Sequence, residues 1–115
     1  MDLTPAKRGP LTRTQIARYA SGVRDFNPMH VDEDFATGAG MPTVIAHGPL
    51  TVALALDAVV EQLGVDRVRR ANARLTAPVH PGEPLEVVPV EGGVELRKTD
   101  ETVAATVILE LEDGA

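Results

Sequence analysis

LTVALALDAVVEQLG, residues 50–64, is the stretch on which the fold turns. Leu50, Val52, Ala53, Leu54, Ala55, Leu56, Ala58, Val59, Val60 and Leu63 leave almost no polar position, and Gly64 supplies a natural C-terminal stop. The stretch reads as a buried central helix. Pro49 marks its first turn, where a missing N–H costs nothing and where the backbone N–H groups of His47 and Gly48 have no intrahelical partner. His47, Gly48, Pro49 and Asp57 interrupt the apolar run from Val44 to Val60, which argues against a bilayer span of about twenty apolar residues.

Downstream the period changes from helix to strand. Leu85 to Val90 and Thr102 to Glu112 are rich in Val, Ile and Leu, and Val103, Ala105, Val107, Leu109 and Leu111 alternate onto one face. Glu91-Gly92-Gly93 and Thr99-Asp100-Glu101 set off a third run, Val94 to Lys98, giving an antiparallel three-stranded meander. Arg67 to Ala77 reads as a further strand ending at Pro78, and His80-Pro81-Gly82-Glu83-Pro84 as a turn with His80 on the solvated surface. A long apolar helix followed by a meander is an α+β layout.

Upstream, Thr12 and Gln15 have the form of a capping box, and Ile16, Tyr19, Ala20 and Val23 follow at helical spacing, so a short helix should end near Gly22. Arg24-Asp25-Phe26-Asn27-Pro28-Met29-His30 then reads as an ordered polar loop, because the proline biases Asn27 away from helical angles. Asp32 to Ala36 is expected to form one further turn capped by Asp32, before Gly38, Gly40 and Pro42. Residues before Thr12 can add only a constrained edge strand, given Pro5 and Pro10.

The chain's 115 residues have the length of one domain, expected to span 1–115. Its core must be aliphatic, with one Tyr, two Phe and no Trp. That composition also lacks the stacking platforms of single-strand nucleic-acid binders. A formal charge of −6 opposes attraction to phosphate backbones and anionic bilayers, so neither nucleic acid nor membrane is an expected partner. Without cysteine there is no disulfide framework or thiolate, and residues 1–10 carry no signal-peptide core, so a soluble cytoplasmic protein is the expectation. One local basic group, Arg67, Arg69, Arg70 and Arg74, has the charge to hold a phosphorylated ligand, although arginines in such a run are more often a charged strand face.

The polar loop has two readings from its residues alone: a hydrogen-bonded turn, or a site. Metal binding by Asp25, Asn27, His30, Asp32 and Asp34 fits poorly. The calcium-loop pattern fails at Met29, His30 and Ala36, and zinc lacks Cys or a His pair at helical spacing.

Asp25-x-Asn27-Pro28-x-His30-x-Asp32, followed after a Gly-rich gap by Ala46-His47-Gly48, resembles the MaoC-like family, which includes R-specific enoyl-CoA hydratases and β-hydroxyacyl dehydratases. Tyr19-Ala20, the residue 50–63 helix and Arg74-x-x-x-Pro78-Val79-x-Pro81-Gly82 extend the resemblance in the same order over most of the chain. It differs at Pro49, where the family often has Met, and at Leu56, where some members carry a polar or small residue. The resemblance implies the hot-dog fold, a curved antiparallel sheet around one long helix, and pairing into dimers; a homodimer is expected, with a heterodimer as the alternative.

The implied chemistry is reversible hydration of a trans-2-enoyl thioester, linked to coenzyme A or a carrier protein, without metal or redox cofactor. It needs a base, an acid and an oxyanion site. The resemblance gives Asp25 and His30 the water between them, with acid and base roles unassigned. Gly48 is the oxyanion candidate, as a backbone donor at a helix N-terminus with no side chain in the way. Asn27, His47 and Arg74 are the substrate-side candidates: Asn27 to fix the loop or orient the water, His47 to orient the loop, Arg74 with its neighbours to meet phosphates. Acyl thioester hydrolysis on the same fold, and a non-catalytic hot-dog partner subunit, are the alternatives.

Overall fold

A computed structural model describes residues 2–112, so the expected limits of 1–115 extend slightly beyond it at either end. The described residues form a five-stranded antiparallel sheet with one long helix across a face, the hot-dog arrangement the resemblance implies. Strands β1 (Ala6–Arg8), β2 (Val68–Leu75), β3 (Leu85–Val90), β4 (Gly93–Lys98) and β5 (Val103–Leu111) lie in the order β1-β3-β4-β5-β2. The β3-β4-β5 meander is therefore the centre of the sheet. β1 pairs with β3 through Ala6↔Val87 and Arg8↔Leu85, and β2 with β5 through Ala71↔Leu109 and Leu75↔Ala105.

Helices α1 (Arg13–Val23), α2 (Pro28–Val31), α3 (Glu33–Gly38) and α4 (Gly48–Leu63) all precede β2. The capping box of α1 is present in full: Gln15 N–H donates to Thr12 Oγ1 and Thr12 N–H to Gln15 Oε1. Asp32 caps α3 through Phe35 N–H. Helix α4 ends at Gly64, whose φ of 90° lies where a side chain would be strained.

Helix α4 lies across the sheet, touching β1, β2, β4 and β5. Only part of its surface is fully covered, however. Thr51, Ala55, Ala58 and Val59 are buried against Val94, Leu96, Ala105 and Val107, whereas Val52, Leu54, Leu56 and Val60 are only half-buried. The expectation of a helix buried all round is thus corrected: one sheet face cannot enclose a cylinder about 10 Å across. Arg8 ties β1 back to this helix by pairing with Asp57 and Glu61, and Thr4 N–H donates to Gln62.

Two boundaries also move. The strand expected over 67–77 begins after a 3-10 turn at Val65–Arg67 and ends at Leu75, because Thr76 and Ala77 both turn their N–H groups to the Ala104 carbonyl. His80, expected on the solvated surface, is half-buried, with Nδ1 3.0 Å from the Val44 carbonyl.

Candidate functional site

The loop expected from Arg24 to His30 contains a helical turn. Asn27 Oδ1 accepts the Met29 N–H at 3.0 Å and Pro28 occupies the first turn, so the Asn-Pro pair that stops extension of α1 also starts α2. Arg24, in the left-handed region at φ 58°, closes α1 and turns the chain toward Asp25. His30 is thereby carried on a helix rather than a coil.

The two oxygens of Asp25 have separate surroundings. Oδ1 accepts the Asn27 N–H at 3.3 Å, and Oδ2 stands 4.0 Å from His30 Nε2. That gap is too long for a direct hydrogen bond, yet one water at about 2.8 Å from each atom spans it. His30 Nδ1 lies 2.8 Å from the Ile45 carbonyl. Since a carbonyl only accepts, Nδ1 carries a proton, and Nε2 is the ring nitrogen turned toward Asp25. The His30 side chain is 12% exposed and that of Asp25 52%.

His47 comes into the same cluster from the segment before α4. It is 1% exposed, its Nε2 lies 3.0 Å from the Asp25 main-chain carbonyl, and its Nδ1 is buried with no hydrogen-bond partner among the described residues. Its ring stacks on that of His30 with centroids 3.7 Å apart and 22° between planes, and meets Tyr19 at 4.9 Å. One ligand atom from each of Asp25, His30 and His47 lies within 4.8 Å of the others, a set different from the metal ligands weighed in the sequence. Stacked imidazoles keep their in-plane lone pairs on offset planes, so both cannot point at one cation in the manner of a tetrahedral site.

His30 also lines a cleft of about 310 Å³, together with Gly48, Thr51, Leu75, Ala77 and Val79. This volume is at the small end of the range for organic ligands. Gly48 opens α4, whose ladder starts with Thr51 N–H on the His47 carbonyl at 3.1 Å, and His47 makes no side-chain cap. The Gly48 N–H therefore has no acceptor within the helix and sits where the dipole favours negative charge. A Cβ on Gly48 would collide with the Cδ1 of Leu75, whose side chain lies over it.

The segment leading into the cleft is held from both sides. Glu33 Oε1 accepts from Thr43 Oγ1 at 2.7 Å and from the Val44 N–H at 3.2 Å, and pairs with Arg13 at 2.9 Å. The Thr43 hydroxyl above all, with Arg13 and the Val44 N–H, holds the Glu33 carboxyl below its ordinary value of 4.5 against a smaller opposing effect of desolvation. The Ala46 N–H reaches the Val79 carbonyl at 2.8 Å.

The structure thus brings Asp25, Asn27, His30, His47 and Gly48 together and leaves Arg74 apart. Arg74 is exposed, and strand alternation puts it on the face opposite its neighbour Leu75, which lines the cleft. Arg69 and Arg70 pair with Glu112 and Glu110, and Arg67 donates to the Glu112 carbonyl, so these three arginines serve the strand pair first. Ile45, Thr51 and Leu75 were not legible as site residues. They contribute a carbonyl, a packed hydroxyl and a wall, none of which leaves a motif.

Comparison with known proteins agrees with this geometry. The chain matches the MaoC like domain over residues 1–112. It is 32% identical over 87 residues to the peroxisomal hydratase-dehydrogenase-epimerase of Saccharomyces cerevisiae, covering 75% of this chain and 9% of that one. It is 44% identical over 68 residues to 3-hydroxyacyl-thioester dehydratase Y of Mycobacterium tuberculosis, covering 56% of this chain and 23% of that one. This chain therefore spans only a small part of the length of the curated relatives it matches. Among solved structures it superposes on the R-hydratase PhaJ1 of Pseudomonas aeruginosa with a TM-score of 0.80 at 20% identity, covering 96% of this chain and 81% of that one.

Proposed function

We propose that this chain, which belongs to the MaoC-like domain family, adds water reversibly to a trans-2-enoyl thioester to give the 3-hydroxyacyl thioester of R configuration. The observation that carries the reading is His30, which faces the Asp25 carboxylate at 4.0 Å and lines one cleft with Gly48. Asp25 and His30 hold one water. As its oxygen attacks the β carbon, one of the pair takes its proton and a proton is delivered to the α carbon, so that H and OH are added and nothing else is consumed. The charge that gathers on the thioester oxygen is met by the Gly48 N–H and the α4 dipole. Asn27 holds the loop that carries the pair.

Support comes from the chemistry named for the relatives, a hydratase within a multifunctional enzyme, a 3-hydroxyacyl-thioester dehydratase and an R-hydratase. The acyl carrier is coenzyme A or a carrier protein. The half-buried flank of α4 and the exposed Ile108 support a working dimer, a homodimer in this reading, with a related chain as the alternative partner.

The test is the loss of conjugated-enoyl absorbance when the purified protein meets crotonyl-CoA and longer enoyl-CoAs, with free thiol assayed in parallel. Absorbance loss without thiol, and an R product on a chiral column, is the expected result. Thiol release identifies a thioesterase instead. No turnover of enoyl-CoA at any chain length from folded protein points to a carrier-protein-linked substrate, and no turnover of either to a non-catalytic partner subunit.

A further inference from the structure

His47 is placed to control the geometry of the pair beside it, and its chemistry is odd for a residue that only fills space. At 1% exposure it retains an Nδ1 with no hydrogen-bond partner among the described residues, while Nε2, facing a carbonyl that can only accept, carries the proton. Leaving a polar atom buried and unpaired is destabilising, a penalty that an apolar side chain of the same shape would avoid. What an apolar residue cannot do is donate to the Asp25 carbonyl, and what an aliphatic one cannot do is stack on His30.

Resting on the hydration reading above, we propose that His47 is the positioning residue of this site, fixing Asp25 through its main chain and His30 through its ring. An imidazole has two side-chain torsions. The bond from His30 Nδ1 to the Ile45 carbonyl fixes one direction in the ring plane, and the His47 stack at 3.7 Å and 22° fixes the plane itself. The direction of His30 Nε2 is then determined. On the other side, the His47 Nε2–H at 3.0 Å anchors the Asp25 peptide, from which the carboxylate reaches toward that nitrogen. The 4.0 Å gap between carboxylate and imidazole is thus set by one buried side chain that need not touch the water. The Tyr19 ring packs beside that of His47, with centroids 4.9 Å apart and 54° between planes.

Two substitutions separate the two contacts in the full chain. His47→Gln keeps an N–H able to reach the Asp25 carbonyl and loses the ring; His47→Phe keeps the ring and loses the donor. Each is expected to lower kcat on enoyl-CoA by about a hundredfold, the effect of displacing reacting groups by about an ångström, while KM stays within about threefold. In an Asp25→Asn background the same changes should lower the residual rate by no more than about threefold, because the pair they position is already broken. Circular dichroism melts identify variants that fail to fold. An active wild type whose two His47 variants keep full kcat overturns this inference alone, as does a loss that recurs undiminished in the Asp25→Asn background. A wild type inactive on enoyl thioesters of both coenzyme A and a carrier protein overturns the hydration reading and this inference with it.

Discussion

Asp25 Oδ2 and His30 Nε2 face each other across 4.0 Å, near enough to share a water and too far apart to bond to one another. Neither group is spent on its partner. Removing the Asp25 charge, as in Asp25→Asn, should therefore remove chemistry without removing structure, whereas His30→Ala also gives up the Ile45 bond and the His47 stack; each is expected to lower kcat by about 10²–10⁴. Because Asp25 is half exposed, the Asp25→Asn melt should superpose on that of the wild type. Retention of full kcat by both variants would exclude the pair from the reaction.

Gly48 and Leu75 are in contact across the cleft, so the size of residue 48 is a catalytic matter. In Gly48→Ala the new methyl must push aside the Leu75 side chain, which is 51% exposed and free to swing outward. The cost to stability is small, with a melting temperature lower by only a few degrees. The floor of the cleft rises, however, and kcat/KM should fall about tenfold to a hundredfold as the thioester is held off the backbone donor. Equal kcat/KM in the two proteins would mean that the substrate does not approach Gly48.

Leu75→Ala should act in the opposite sense. It removes an exposed wall of the 310 Å³ cleft, and each methylene accommodated or refused in such a pocket changes relative rates by about tenfold or more. The kcat/KM ratio of an eight-carbon over a four-carbon enoyl-CoA is expected to rise by about tenfold. An unchanged ratio, measured by competition between the two substrates, would place the acyl chain elsewhere.

Glu33 makes stability depend on acid pH in a predictable direction. Its carboxyl is held below its ordinary value in the folded chain, chiefly by the Thr43 hydroxyl, so the unfolded chain takes up its proton first as pH falls. Its contribution is complete above the ordinary value of 4.5 and is lost as pH drops through the lower folded value. Glu33→Gln should lower the melting temperature at pH 7 and do so less as the pH is brought below that range. A difference that stays constant with pH would show that the carboxylate charge is immaterial.

The elements written in local spacing were legible in the sequence. The α1 capping box, the Asp32 cap, the start of α4 near Pro49, its stop at Gly64 and the meander borders at Gly92 and Asp100 each depend on residues within a turn of one another. What could not be read depends on distant partners. His80 looked like turn surface because the Val44 carbonyl it meets is 36 positions away. The arginines of β2 looked free because Glu110 and Glu112 become their neighbours only when β5 pairs with β2. Asp25 and His30 were singled out through motif resemblance and Gly48 through its place at the start of α4, whereas the stack of His47 on His30 unites two segments that no periodicity links. The turn at Pro28 was read only as a break, though a proline that ends one helix is equally suited to begin another.

The walls and the working parts of the cleft come from different stretches of chain. His30 and Gly48, which line the cleft, and Asp25 and His47 beside His30 all lie before the sheet's main body, whereas Leu75, Ala77 and Val79 belong to the far end of β2 and the segment after it. On the hydration reading, taste and craft are thereby inherited separately: the exposed positions 75, 76 and 78 can be rewritten to change which acyl groups are accepted, with Asp25 and His30 left as they are.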